Sequence, residues 1–204
     1  SESRGLGDVY KRQNLNIKNY ADLHNWSIKH KNEFWTNVWD FTNFVGEKKG
    51  KIFKSAPEFT NNKFFDECKI NYAENCLTRE DGDDAIIFHS EKKIKRNYSW
   101  KELKSAVLKF ANYLKNNNIE KNDRIAAILP NIPETVISFL STAQLGAIWS
   151  SCSSDFGKKA IIDRFKQIEP KVLLFSDYYF YNNKKVDTTK IIKDVVYNIP
   201  SIEK

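Results

Sequence analysis

No methionine occurs at any of the 204 positions, including the first. A complete translated chain would start with one, so we expect a piece of a longer protein. Cysteine is scarce: Cys68, Cys76 and Cys152 are odd in number and form no Cys-x-x-Cys pair. That argues against a disulfide framework or a zinc site and suits free thiols in a reducing, cytoplasmic compartment. There is no run of about 18 apolar residues, so no transmembrane helix is expected. No apolar signal-peptide core follows the N-terminus. The only histidines are His24, His30 and His89, and none stands in a triad signature. A G-x-S-x-G elbow is missing too.

What is present is a core-forming composition, 41% hydrophobic and 14% aromatic. The net charge is +7, yet 26 acidic residues are interspersed among 33 basic ones. A bias spread over the whole chain is not a nucleic-acid interface. It leaves room for a local basic patch that meets a phosphate-bearing small molecule. The first 13 residues, SESRGLGDVYKRQ, have no amphipathic period and resemble stretches found at the ends of conceptual translations. We expect a non-native leader there.

Three segments follow. Residues 14–78 read as an aromatic-rich helical extension. Trp26, Phe34, Trp35 and Trp39 lie at helical spacing in two short helices, as a stripe that glues the extension to a larger body. A short helix is expected at residues 72–77. Residues 79–204 then turn to strands and helices. Residues 85–90 and 94–99 predict a β-hairpin. Ser99 and Glu102 predict a capping box for the helix after them. RIAAIL, AIWSS and KVLLFS predict three strands, separated by the helices NIPETVISFLSTAQLG and KKAIIDRFKQIE. Asn131 is expected to cap the first of these helices, Gly146 to stop it, and Asp187 to cap a last one. The alternation implies an open, mostly parallel α/β sheet flanked by helices.

Ligands gather beyond the carboxyl ends of strands in such sheets. GAIWSSCSSDFG leaves the second strand and FSDYYFYNNKKVD leaves the third, so both loops should lie on one edge. Serine and cysteine are nucleophiles, but a nucleophile needs a base within reach, and no histidine is near in sequence. The first loop is therefore read as binding wall and capping loop, with Asp155 serving the backbone ahead of the next helix.

The order of these segments resembles the N-terminal part of the adenylate-forming acyl-CoA synthetases, over nearly everything after residue 13. YADLHNWSIKHKNEFW, INYAENCL, SWKEL, KNDRIAAILPNIPETVISFLSTAQLGAIWSSCSSDFG and DRFKQIEPKVLLF carry the likeness. Within the family it points to the acetoacetate-activating branch. The resemblance implies that ATP and acetoacetate first give an acyl-adenylate and diphosphate, with Mg²⁺ on the phosphates. The thiol of coenzyme A then displaces AMP. It also implies that Ser153, Ser154 and Asp155 line the pantetheine side of a CoA channel. Tyr181, Lys184 and Lys185 would lie near the nucleotide phosphates, the lysines pairing with them.

Departures from the family pattern are Ser154 in place of a usual Pro, and Asn183 and Asn122 in place of common Gly. Asn tolerates left-handed backbone, so the fold should survive. No Ser/Thr/Gly-rich loop ending in Pro-Lys occurs, nor the later adenine and ribose motifs, nor the domain with the catalytic lysine. The segment alone is thus expected to be inactive and to bind ATP, CoA and Mg²⁺ weakly. No catalytic or metal-ligating residue is assigned. The partners are small-molecule substrates, not nucleic acid or membrane, and no oligomeric state is assigned. A ligase for another short acid, such as acetate or propionate, and a non-catalytic α/β binding module remain as alternatives.

Overall fold

The computed structural model describes residue 17 and residues 19–204, so the expected leader lies outside the described residues. The chain divides into two units, with the boundary between Ile70 and Asn71.

The first unit starts with helix α1 (Tyr20–Lys29), opened by the Asn19 side chain, which accepts the Asp22 N–H at 3.0 Å. Helix α2 (Lys31–Phe41) follows, then a minimal antiparallel pair, β1 (Phe53–Lys54) with β2 (Lys63–Phe64). The aromatic stripe is half-buried, and its ring partners belong to this unit. Trp35 meets Phe64 at 4.9 Å, and Trp39 meets Phe65 at 4.6 Å and Phe44 at 4.8 Å. The rings thus form the unit's own small core.

The second unit begins with helix α3 (Tyr72–Cys76). The sequence reading puts this helix in the extension, whereas its contacts belong to the second unit. Ala73 and Leu77 are buried with Leu103, Val107, Ile137 and Leu140. Asn71 does two jobs, which explains the INYAENCL motif. Its Oδ1 accepts the Glu74 N–H at 3.1 Å, and its Nδ2 donates to the Ala143 carbonyl at 2.8 Å. One side chain caps one helix and ties it to the last turn of another, sharing the Ala143 carbonyl with the Gly146 N–H.

Next comes the hairpin β3 (Asp84–His89) and β4 (Lys95–Ser99), then helix α4 (Trp100–Asn116). The capping box is present: Ser99 Oγ accepts the Glu102 N–H at 3.2 Å, and Glu102 accepts the Ser99 N–H at 2.8 Å. The main sheet consists of β5 (Arg124–Ile128), β6 (Ile148–Cys152) and β7 (Val172–Phe175), in the order β6-β5-β7, all parallel. Helix α5 (Pro133–Gln144) joins β5 to β6, and α6 (Lys158–Lys166) joins β6 to β7. These crossovers run in opposite directions across β5. Uniform handedness therefore puts their helices on opposite faces. The core agrees: Ala126 and Ile128 pack with Ile161 and Phe165 of α6, while Ile125 packs with Leu114 of α4, the helix whose Leu103 and Val107 pack with Ile137 and Leu140 of α5. The near-continuous apolar reading of RIAAIL follows from this double cover.

The amino-terminal edge of the sheet is fastened. Arg124 donates to the carbonyls of Ile168 at 2.8 Å and Glu169 at 3.0 Å, and Lys171 pairs with Asp123 at 3.2 Å. Asn122 (φ 71°) and Gly146 (φ 70°) are both left-handed, and Asn122 N donates to the Gly146 carbonyl at 3.1 Å. The asparagine holds the conformation that the sequence reading assigned to it.

Four expectations are corrected. Helix α5 is capped at Ile132, not Asn131, with no side-chain bond. Pro133 fixes the first helical position and drives the residue before it to extended backbone. Helix α6 is capped at Gly157 without a side-chain bond, so Asp155 does not cap it. The segment after β7 is not an open loop but a hairpin, β8 (Tyr178–Tyr181) with β9 (Lys184–Asp187). Last, helix α7 (Thr189–Asn198) is capped at Thr188. Asp187, one residue earlier, still accepts the Thr189 N–H at 2.8 Å.

Candidate functional site

The C-terminal ends of β5, β6 and β7 lie level, since Ile128 is in register with Cys152 on one side and Phe175 on the other. The two segments singled out in the sequence therefore leave the same edge, on either side of β5. Beyond β6, residues 153–156 make a turn in which Phe156 N donates to the Ser153 carbonyl at 3.2 Å. Ser153 and Asp155 are exposed, whereas Ser154 is buried. Among the described residues, Ser154 Oγ and Trp100 Nε1 are the buried side-chain polar atoms with no hydrogen-bond partner. A hydroxyl kept from water without a partner costs about 1–3 kcal/mol, so Ser154 carries a hydrogen-bonding capacity the chain itself does not use.

Cys152 ends β6 inside the core. Burial pushes its thiol up to about 11, with Arg164 pulling the other way and Asp155 adding to the rise. It is a neutral thiol at physiological pH, and no activated thiolate stands in this loop.

On the other side of β5, the β8–β9 hairpin turns through Asn182 (φ 48°) and Asn183 (φ 62°). Two successive left-handed residues make the tight turn whose twist matches paired strands. YYFY, a two-residue Asn-Asn turn and KKVD carried that signal in the sequence. Tyr181, Lys184 and Lys185 are exposed. Neighbouring strand residues face opposite sides, so the two lysines cannot act as one patch. Lys184 shares a face with its partner Tyr181, and Lys185 lies opposite Phe180. The Lys185 ammonium sits 3.8 Å from the Tyr178 ring centroid. Among the described residues no carboxylate lies within ion-pair distance of either lysine.

A cavity of about 630 Å³ opens between the two hairpins at this edge. Phe88, His89 and Arg96 line it from the first hairpin, Pro130 to Ile132 from the β5–α5 loop, and Tyr178 and Phe180 from the second. Arg96 forms a two-pronged ion pair with Glu134 in the first turn of α5, one prong at 2.9 Å. The hydrogen bond raises Arg96 and lowers Glu134 from their ordinary values. No local pattern marks these residues in the sequence. They come together only because the β3–β4 hairpin folds over the β5 end. The serine turn after β6 does not line this cavity; it and the β8–β9 hairpin flank β5 from opposite sides.

An open parallel sheet whose strand-end loops share one edge is an α/β domain of the class that takes ligands at that edge. The chain belongs to the AMP-binding enzyme family, whose profile matches residues 73–202. It is 38% identical over 180 residues to the acetoacetyl-coenzyme A synthetase of Rhizobium meliloti (strain 1021), covering 88% of this chain and 28% of that protein. It is 34% identical over 206 residues to the acetoacetyl-CoA synthetase of Xenopus tropicalis, covering 96% of this chain and 30% of that one. Its fold matches the solved acetoacetyl-CoA synthetase from Streptomyces lividans at a TM-score of 0.88 and 29% identity, over 95% of this chain and 31% of that one. The family resemblance read from the sequence is borne out. The chain spans under a third of the length of these relatives.

Proposed function

We propose that this chain is the first α/β part of an acid–CoA ligase. That ligase converts acetoacetate, ATP and coenzyme A to acetoacetyl-CoA, AMP and diphosphate through an acyl-adenylate. The observation that supports it most is the 38% identity to an acetoacetyl-coenzyme A synthetase across 88% of the chain. Within the ligase, the carboxyl edge of the sheet serves as a wall of the CoA channel. Ser153 and Asp155 present small exposed polar groups to the pantetheine arm, with the buried Ser154 holding the turn between them. Lys185, beside the cavity-lining Tyr178 and Phe180, and Lys184 and Tyr181 on the other face meet the phosphates. CoA carries a 3′-phosphate and a diphosphate, so two separate cations suit it better than one paired patch.

ATP and Mg²⁺ are assigned no residue of this chain. Among the described residues no group of three or more His, Cys, Asp and Glu is placed to hold a metal ion. No described helix is long and apolar enough to cross a membrane. A cytoplasmic location is part of the same proposal.

The test is AMP release by the full-length protein carrying this segment, with acetoacetate, acetate or propionate as the acid. Acetoacetate-dependent AMP and acetoacetyl-CoA are expected, with none from the 204-residue chain alone. Preference for acetate or propionate would replace the substrate. No AMP with any acid would favour a non-catalytic module.

A further inference from the structure

The β8–β9 hairpin is a two-stranded sheet of its own, not hydrogen-bonded into the main sheet. An isolated two-stranded hairpin is marginally stable in water. What fixes its position is therefore what fixes Lys184 and Lys185. At its base it is tied to the chain end of β7. Thr188 N donates to the Asp177 carbonyl at 3.0 Å, and Ser176 Oγ donates to the Tyr178 carbonyl at 2.5 Å. The lysines sit at the other end, next to the turn.

There the first hairpin reaches across. Glu91, in the β3–β4 turn, accepts the Asn182 N–H at 3.3 Å and the Asn183 N–H at 3.0 Å, one on each carboxylate oxygen. Two successive left-handed residues aim consecutive N–H groups into one concavity, a shape suited to an anion. Lys92 completes the contact. Its ammonium donates to the Asn183 carbonyl at 2.9 Å and lies 5.3 Å from the Phe180 ring centroid. The two hairpin tips thus grip each other through both N–H groups and one carbonyl of a single turn. The grip closes one rim of the cavity between them.

We propose that Glu91, with Lys92, is a positioning residue for coenzyme A: its carboxylate clasps the Asn182–Asn183 turn and thereby holds Lys184 and Lys185 in place for the CoA phosphates. The inference rests on the CoA-channel reading above. Glu91 itself touches no substrate. By filling the turn's own anion cup, it also steers an incoming phosphate to the lysine side chains instead.

The experiment uses the full-length ligase with Glu91→Ala, Glu91→Gln and Lys185→Ala. Two readouts are taken: hydrogen exchange of the peptide spanning Asn182 and Asn183, and KM for CoA beside the rate of acetoacetate-dependent ATP–diphosphate exchange. Glu91→Ala should speed amide exchange at the turn and raise KM for CoA about tenfold, as expected for losing charge-assisted bonds. The ATP–diphosphate exchange should stay within about twofold. Glu91→Gln, which keeps one acceptor oxygen, should fall between. Unchanged amide exchange in Glu91→Ala would show that no clasp exists. Faster amide exchange with an unchanged KM, while Lys185→Ala raises KM, would show a clasp that positions nothing. Unchanged KM in both variants would overturn the CoA reading of the hairpin itself, and this inference with it.

Discussion

At the residue scale, the serine-cysteine loop after β6 contains nucleophilic side chains, and its cysteine is a neutral thiol. Cys152 is held in the core with its thiol pushed up to about 11 from 9.0, chiefly by burial. Its neutral form is favoured in the folded chain. Its contribution to stability is thus whole below pH 9.0 and declines as pH rises toward 11. The difference in denaturation midpoint between wild type and Cys152→Ala, set by lost packing, should stay constant below about pH 9 and change only in that alkaline window. Iodoacetamide at about pH 8 should label Cys68 and Cys76 before Cys152, read by peptide mass spectrometry. Labelling of Cys152 first would contradict its burial. Ser154 makes a different prediction. Removing its unpartnered hydroxyl in Ser154→Ala should leave Tm unchanged or raise it, since no bond is lost. A fall in Tm would mean that the hydroxyl has a structural partner. The sequence reading sets a nucleophile aside on the absence of a nearby base, an argument that needs only local residues. It misplaces Asp155 because a cap depends on where the helix starts, and this helix starts at Lys158, with Gly157 and not Asp155 at the cap position.

At the scale of elements, legibility followed locality. The Ser99–Glu102 box and the three core strands are written in residues a few positions apart, and each was found. The β8–β9 hairpin was read as a loop, since four aromatic residues beside two lysines do not alternate in polarity. Its turn offers a direct check. Asn183→Gly should preserve stability, whereas Asn183→Val should lower it by about 1–2 kcal/mol, the cost of left-handed backbone for a residue with a Cβ. Equal stability in both would contradict the observed turn. The Arg96–Glu134 pair joins β4 to α5 over 38 positions of sequence, which no local pattern reveals. Arg96 depresses the Glu134 carboxyl below its usual 4.5. The pair's stabilisation is therefore present above pH 4.5 and lost as pH falls through the depressed value. Unfolding from about pH 6 to about pH 3 should be less steep in Glu134→Gln than in wild type. Matching slopes would mean that the pair contributes nothing.

At the scale of the whole molecule, the sheet has two edges with different work. Its amino edge is tied by Arg124 and Lys171 to neighbouring carbonyls and to Asp123. Its carboxyl edge carries an open cavity and, among the described residues, a hydroxyl without a partner and two lysines without ion pairs. The sequence placed both loops on that edge from the alternation of strands and helices alone. It could not show the cavity, whose walls come from a hairpin nearly 40 residues upstream of the β5 end. The central claim is that this edge serves the thioester step and not adenylate formation. Ser153→Phe in the full-length ligase tests it most directly, with ATP–diphosphate exchange and acetoacetyl-CoA formation measured on the same preparation. The account predicts that exchange persists near the wild-type rate while KM for CoA rises. Loss of acetoacetate-dependent exchange, or an unchanged KM for CoA, would contradict it.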